Sequence, residues 1–182
     1  MKNQRLQAVI SGVGPDKPGI VAALTKVLLA HQANIEDSSM TRLAHEFALI
    51  LIVTLAATDK IHALQAELDR LEAEMDMSFT IKPLNPHPDF AVSGQPCMIS
   101  VGGHDRTGIT HLITQKLSDL NVNISDLSAH VIDGDGGKTY IMMIEAVVPA
   151  PLTLAKLEVQ LRDVPGAEKL DISVNALEDI PL

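Results

Sequence analysis

Two hydrophobic spacings alternate along this chain. Residues 6–13 form a short apolar-rich run and predict a strand. Residues 18–31 switch to helical spacing, with Ile20, Ala23, Leu24, Val27 and Leu28 on one face. Residues 34–43 mix polar and apolar positions, as a partly exposed strand does. Residues 46–56 contain Phe47-Ala48-Leu49-Ile50-Leu51-Ile52-Val53-Thr54-Leu55, apolar on both faces, which suits a central strand covered on two sides. Residues 59–76 return to helical spacing through Ile61, Leu64, Leu68, Leu71 and Met75, with Asp59 as the expected N-cap. Residues 77–84 read as another strand.

The proline-rich stretch from Asn85 to Gln95 predicts a linker. The order then repeats: strand 97–101, helix 107–120 with Ile109, Leu112, Ile113, Leu117 and Leu120 inward, and strand 122–132. A glycine turn follows at Asp133-Gly134-Asp135-Gly136-Gly137, then strand 138–148, helix 153–162 and strand 169–177. The reading is an α+β protein of two ferredoxin-like βαββαβ modules, 1–84 and 96–182, joined by the linker 85–95. Each module is expected to carry four antiparallel strands with both helices on one face, strands one and three being central neighbours. The second face of the apolar third strand then needs a cover, from the twin module or a second chain.

The repeat extends to individual residues. Gly14-Pro15-Asp16-Lys17-Pro18-Gly19-Ile20 returns as Gly103-His104-Asp105-Arg106-Thr107-Gly108-Ile109, with Asp16 and Asp105 89 positions apart. The same offset matches Asn34-Ile35 with Asn123-Ile124, Asp37 with Asp126 and Ser39 with Ser128. Each loop lies between a strand and a helix N-terminus, where backbone N–H groups lack internal partners and the helix dipole is positive. Such an end accepts a carboxylate or phosphate. Asp16 and Asp105 have two readings: N-caps that accept from the N–H of Gly19 and Gly108, or partners for a ligand ammonium. A bare strand-to-helix turn is the structural alternative. Gly14 and Gly19 satisfy the two glycines of a phosphate loop, but Ile20-Val21 stands where Lys-Ser/Thr is required, which excludes that chemistry.

Composition narrows the field. Lys plus Arg is 14 against 23 Asp plus Glu, a net charge of −9, so direct binding to nucleic acid is not expected. One Tyr, three Phe and no Trp leave little for base stacking. The lone Cys97 suits a reducing compartment and reads as a small buried hydrophobe. No signal-peptide core is evident, and the longest apolar run is about half of what spans a bilayer. A soluble, cytoplasmic protein is expected, without a membrane partner. His104, Asp105 and His111 do not complete a zinc spacing, and Asp133 and Asp135 lack the further oxygens calcium needs. His45-Glu46 reads either as an acid/base pair or as a hairpin cap. No nucleophile–base pair stands out, so no catalytic residue, metal or cofactor is assigned, and the chain is read as a non-enzyme.

Gly-x-Asp-Lys/Arg-Pro-Gly-Ile opening a βαββαβ module, with Asn-Ile at the second strand, resembles the ACT domain. Asn34-Ile35-Glu36-Asp37-Ser38-Ser39 and His45-Glu46-Phe47, together with the tandem layout, resemble the glycine cleavage system transcriptional repressor family, most strongly over residues 9–55. The resemblance implies ligand sites at Gly14, Asp16, Gly19 and Ile20 with Asn34, Ile35 and Asp37 nearby. The matching set is Gly103, Asp105, Gly108, Ile109, Asn123, Ile124 and Asp126. It further implies a small, glycine-like amino acid as ligand, repression through a partner transcription regulator, and a homo-oligomer. The alternative is a ligand-independent interaction and assembly module. Proline is replaced by Thr107 in the second loop, which makes the first the better expected site.

Overall fold

The fold was taken from a computed structural model, which describes residues 6–56, 60–84, 93–134 and 137–177. The chain divides into two compact units, residues 1–88 and 89–182. In the first unit the order is β1 (Leu6–Pro15), α1 (Ile20–Ala30), β2 (Asn34–Leu43), β3 (Glu46–Leu55), α2 (Lys60–Met75) and β4 (Ser78–Pro83). In the second it is β5 (Gln95–His104), α3 (Ile109–Asp119), β6 (Asn123–Gly134), β7 (Gly137–Val148), α4 (Leu154–Arg162) and β8 (Leu170–Ala176). Each unit is a four-stranded antiparallel sheet, ordered β2-β3-β1-β4 and β6-β7-β5-β8. The first and third strands are therefore central, as the apolar third strand requires. This is the expected α+β, ferredoxin-like arrangement.

Alternation decides which face of each sheet is buried. Ala8 and Ile10 on β1, and Leu49, Leu51, Val53 and Leu55 on β3, meet Ile20, Leu24 and Leu28 of α1 and Leu64, Leu68 and Leu71 of α2 in one core. Both helices present residues at three- and four-residue spacing, so a single stripe of each is buried. Cys97, Ile99 and Val101 on β5, with Tyr140, Met142 and Ile144 on β7, make the matching core with Ile109, Ile113, Leu117, Leu157 and Leu161. Each fully buried Leu or Ile stabilises the module by roughly 2 kcal/mol.

Several expected boundaries shift for local reasons. Helix α1 begins at Ile20 rather than Pro18, because Gly19 takes φ 98° and a left-handed residue cannot continue the helix backward. Gly108, at φ 97°, likewise starts α3 at Ile109 instead of Thr107. Strand β5 runs ten residues, because Gln95, Pro96 and the segment Gly102–His104 also pair with β7. Strand β2 is exposed along all ten residues, more than its mixed sequence implies, since β2 is an edge strand packed by neither helix stripe. On the outer face of β3, Ile50 is 53% exposed. The Asp59 cap, most of the 85–95 linker, and Asp135 with Gly136 of the glycine turn lie outside the described residues.

Candidate functional site

The repeated loops share one backbone design. The Asp16 N–H donates to the His45 carbonyl at 2.8 Å, and the Asp105 N–H donates to the Lys138 carbonyl at 2.9 Å. Each loop is thus anchored to the hairpin between the second and third strands. The Gly19 carbonyl accepts from Ala23 at 2.8 Å and the Gly108 carbonyl from Leu112 at 3.0 Å, which opens each helix. A Cβ built on Gly19 or Gly108 meets nothing within 4 Å, so open space lies beside the helix start. No acidic side chain occupies the first turn of α1 or α3, and no side chain caps either end.

This corrects the N-cap reading of Asp16 and Asp105. The left-handed glycine is itself the cap residue, and it carries the aspartate outside the first turn. The Asp16 carboxylate instead faces Arg42, at 3.6 Å. Both side chains are substantially solvated, 37% and 68% exposed, so the pair adds less than about 1 kcal/mol to stability and marks geometry rather than strength. Lys17 turns the other way. Its Nζ donates to the Met75 carbonyl at 3.2 Å and lies 3.7 Å from the Asp76 carboxylate, bracing the loop against the C-terminal end of α2. His45 acts through its backbone carbonyl, closing the hairpin side of the loop.

Several of the predicted residues also have structural surroundings of their own. The side chains of Ile20 and Ile109 are buried in the two cores, so only their backbone faces a loop. Gly14 and Gly103 are needed for packing. A Cβ on Gly14 would fall 2.6 Å from the Asp76 carbonyl, and one on Gly103 would fall 2.7 Å from a Leu170 methyl. Asn34 donates to Glu36 at 2.9 Å, and the Asp37 carboxylate accepts from the Ser38 N–H at 2.7 Å. In module two, Asn123 and Asp126 are exposed at the corresponding edge, and Ile124 is half-buried against its core.

Most consequential, one module does not bring the loop and Asn34 together. Pro15 pairs with Glu46 at one end of β3, whereas Asn34 pairs with Thr54, eight residues further along. Eight strand residues span about 26 Å. In module two His104 pairs with Thr139, and Asn123, Ile124 and Asp126 pair with Val147, Ala146 and Glu145, toward the other end of β7. Asn34 and Ile35 instead line a groove with Ala22, Thr25 and Leu29 on α1. Within module one, the loop and Asn34 therefore lie at opposite ends of β3. Arg42, which does lie beside the loop, was not among the residues read from sequence. The signal was available in the hairpin: Leu43 and Glu46 flank it, so the end of β2 must return to the end of β1.

The ACT domain family matches residues 7–82 and again residues 95–175. The chain belongs to the ACT domain family. A UPF0237 protein of Methanopyrus kandleri is 38% identical over 77 residues, which is 42% of this ACT protein and 86% of that relative. The glycine cleavage system transcriptional repressor of Escherichia coli is 24% identical over 145 residues, 79% of this chain and 74% of the repressor. A solved structure of an unknown protein from Galdieria sulphuraria superposes with a TM-score of 0.80 at 24% identity, covering 96% of this chain and all of that one. The fold is thereby shared along the whole tandem. ACT domains are regulatory modules, and this tandem ACT protein has a regulatory role on that ground. No helix among the described residues is long and apolar enough to cross a membrane.

Proposed function

We propose that this tandem ACT protein is a non-enzymatic sensor of a small, glycine-like amino acid, and that it represses transcription through a partner regulator rather than by touching DNA. The observation that carries the ligand half is the Asp16–Arg42 pair, 3.6 Å apart beside the uncapped start of α1. A zwitterion offers an ammonium group to Asp16 and a carboxylate to Arg42 and the first-turn N–H groups. The open space at Gly19 admits a small ligand close to the backbone. Gly103, Asp105 and Gly108 supply the second loop, without an arginine where Arg42 stands. Asn34, Ile35 and Asp37, with Asn123, Ile124 and Asp126, enter as the edge contributed by another module. The modules are taken as residues 1–84 and 96–182 around the linker 85–95. A net charge of −9 argues against a DNA surface and for a protein partner, and the free, buried Cys97 suits a cytoplasmic setting.

Calorimetry with glycine, alanine and serine tests the ligand half. Glycine binding should weaken about tenfold on Asp16→Asn, a loss of about 1.4 kcal/mol, while circular dichroism stays native. No heat and no thermal shift with any small amino acid would sink it. The fully exposed strand β2 favours a second reading, an assembly module without a ligand. That reading wins if partner binding survives Asp16→Asn and Asn34→Ala and never responds to an amino acid.

A further inference from the structure

Three ionisable side chains distinguish the first helix of module two from its counterpart. His111, Lys116 and Asp119 on α3 stand where α1 has Ala22, Val27 and Ala30. In module one, Val27 and Ala30 lie with Leu71 in a groove between α1 and α2. In module two the space between α3 and the end of α4 is a pocket of about 330 Å³, and all three ionisable residues line it.

Pro165 makes the room. Proline lacks an N–H and disfavours helical geometry at the residue before it, so α4 stops at Arg162 after nine residues, against sixteen in α2. Residues 163–169 then connect α4 to β8, where only 76–77 lie between α2 and β4. Val164 and Pro165 of this connection form a wall of the pocket with Leu112 of α3. The volume is at the small end of the range that ligand pockets occupy, which limits the guest to a small molecule.

Charge in the pocket is divided between its two sides. Lys116, on the α3 side, is half-buried and makes no ion pair among the described residues. A half-hidden ammonium without an anion gains from any carboxylate that reaches it. On the α4 side, Asp163 is the C-cap, so its carboxylate adds to the negative end of that helix. Arg162 does not cancel it, because its guanidinium donates to the Ile172 carbonyl and pairs with Glu158. Asp119 is engaged by the Gln115 amide at 2.9 Å. The pocket therefore offers a cation on one side, an anion on the other, and apolar wall.

We infer that this pocket binds a small zwitterion with an apolar body, an α-amino acid of the leucine or methionine class. Lys116 takes its carboxylate, Asp163 and the end of α4 take its ammonium, and Leu112, Val164 and Pro165 cover its side chain. None of these residues belongs to either repeated loop, and the site rests on no part of the reading given to those loops.

Calorimetry on the full chain with L-leucine and L-methionine tests the site. Isocaproate, which is leucine without the ammonium, and isoamylamine, which is leucine without the carboxylate, are the controls. Leucine or methionine should bind, and each control should bind about tenfold more weakly. Lys116→Met should weaken leucine binding about tenfold, and Lys116→Arg should keep most of it. Asp163→Asn should weaken it less, since the helix end remains. Amide NMR of the wild type checks the location without a substitution: leucine should shift Leu112, Lys116 and Val164 more than Gly19. No binding of leucine or methionine, isocaproate binding as tightly as leucine, binding undiminished by Lys116→Met, or NMR shifts that spare Leu112 and Val164 overturns the inference. Failure of glycine to bind in calorimetry would leave this outcome unchanged, so the two proposals fail separately.

Discussion

The two β1–α1-type loops hold the same backbone with different side chains. In both, an aspartate N–H is tied to a hairpin carbonyl, a glycine near φ 98° starts the helix, and open space lies above that glycine. Around this frame the modules diverge. Asp16 faces Arg42, whereas the strand position pairing with Tyr140, as Arg42 pairs with Phe47, is Val131. Tyr140 bonds to Thr110 in the first turn of α3 at 2.7 Å, where module one has Phe47 and Val21. Lys17 braces its loop on α2, whereas Arg106 lies against Gly166. Duplication therefore preserved the turn and released the chemistry around it. The backbone identity of the loops is a statement about folding, and the residues that differ carry any difference in binding.

The sharpest way to break that comparison lies in the core. Gly12 pairs with Phe79 on β4, and a Cβ on Gly12 would come 2.5 Å from the buried Phe79 ring. In module two the same place holds Val101 beside Ile172. A small–large pair in one module stands where the other has a medium–medium pair with the same number of side-chain carbons, the kind of exchange cores tolerate. Gly12→Val alone should destabilise the chain by about 3 kcal/mol in urea unfolding. Adding Phe79→Ile should recover half or more of it. A double variant no more stable than Gly12→Val would mean that the two cores are not interchangeable solutions of one packing problem.

The glycines sharpen the comparison at the loops. Gly14→Ala should cost about 2–3 kcal/mol, because its new methyl meets the Asp76 carbonyl, which is backbone and cannot step aside. Gly103→Ala should cost less, about 1–2 kcal/mol, since the nearer atom belongs to the flexible Leu170 side chain. Gly19→Ala and Gly108→Ala meet no atoms, and each should cost about 1 kcal/mol from positive φ alone. Equal losses at Gly19 and Gly108 with unequal losses at Gly14 and Gly103 are the expected pattern in thermal unfolding. Unequal losses at the first pair would show that the loop frames are not equivalent.

The elements and their order were legible because helix and strand spacings are local, and because the repeat wrote each signal twice. Topology followed from the apolar third strand, which only a central slot accommodates. The site was legible only where its residues are contiguous in sequence. Asp16 and Gly19 were readable in the loop, but Arg42 reaches Asp16 only through the hairpin register, and Asn34 is carried to the far end of β3 by the length of β2. The fixed offset of 89 also fails past the hairpin. Gly14 pairs with Phe47, and Gly103 pairs with Tyr140, 93 positions further on, because the β6–β7 hairpin is longer. Gap-free comparison therefore hides the Phe47–Tyr140 correspondence.

The smallest expected effect concerns how each loop is braced at its back. Module one uses the Lys17 ammonium on the Met75 carbonyl. In module two the turn that Arg106 rests on is held by Glu168, whose carboxylate accepts the Gly166 N–H at 3.0 Å. That bond, then the Glu168 N–H and the nearby Arg106 charge, hold the Glu168 carboxyl below its usual value of 4.5. A depressed folded-state value stabilises the fold above the unfolded value, and the gain is lost as pH falls through the folded one. Glu168→Gln should thus lower stability slightly at neutral pH and make no difference well below pH 4.5. Glu168 is fully solvated, so salt should shrink the neutral-pH difference further. Acid unfolding of wild type and variant measures this. Parallel curves across the whole pH range would remove Glu168 from the brace and leave Arg106 packing on Gly166 as the counterpart of Lys17.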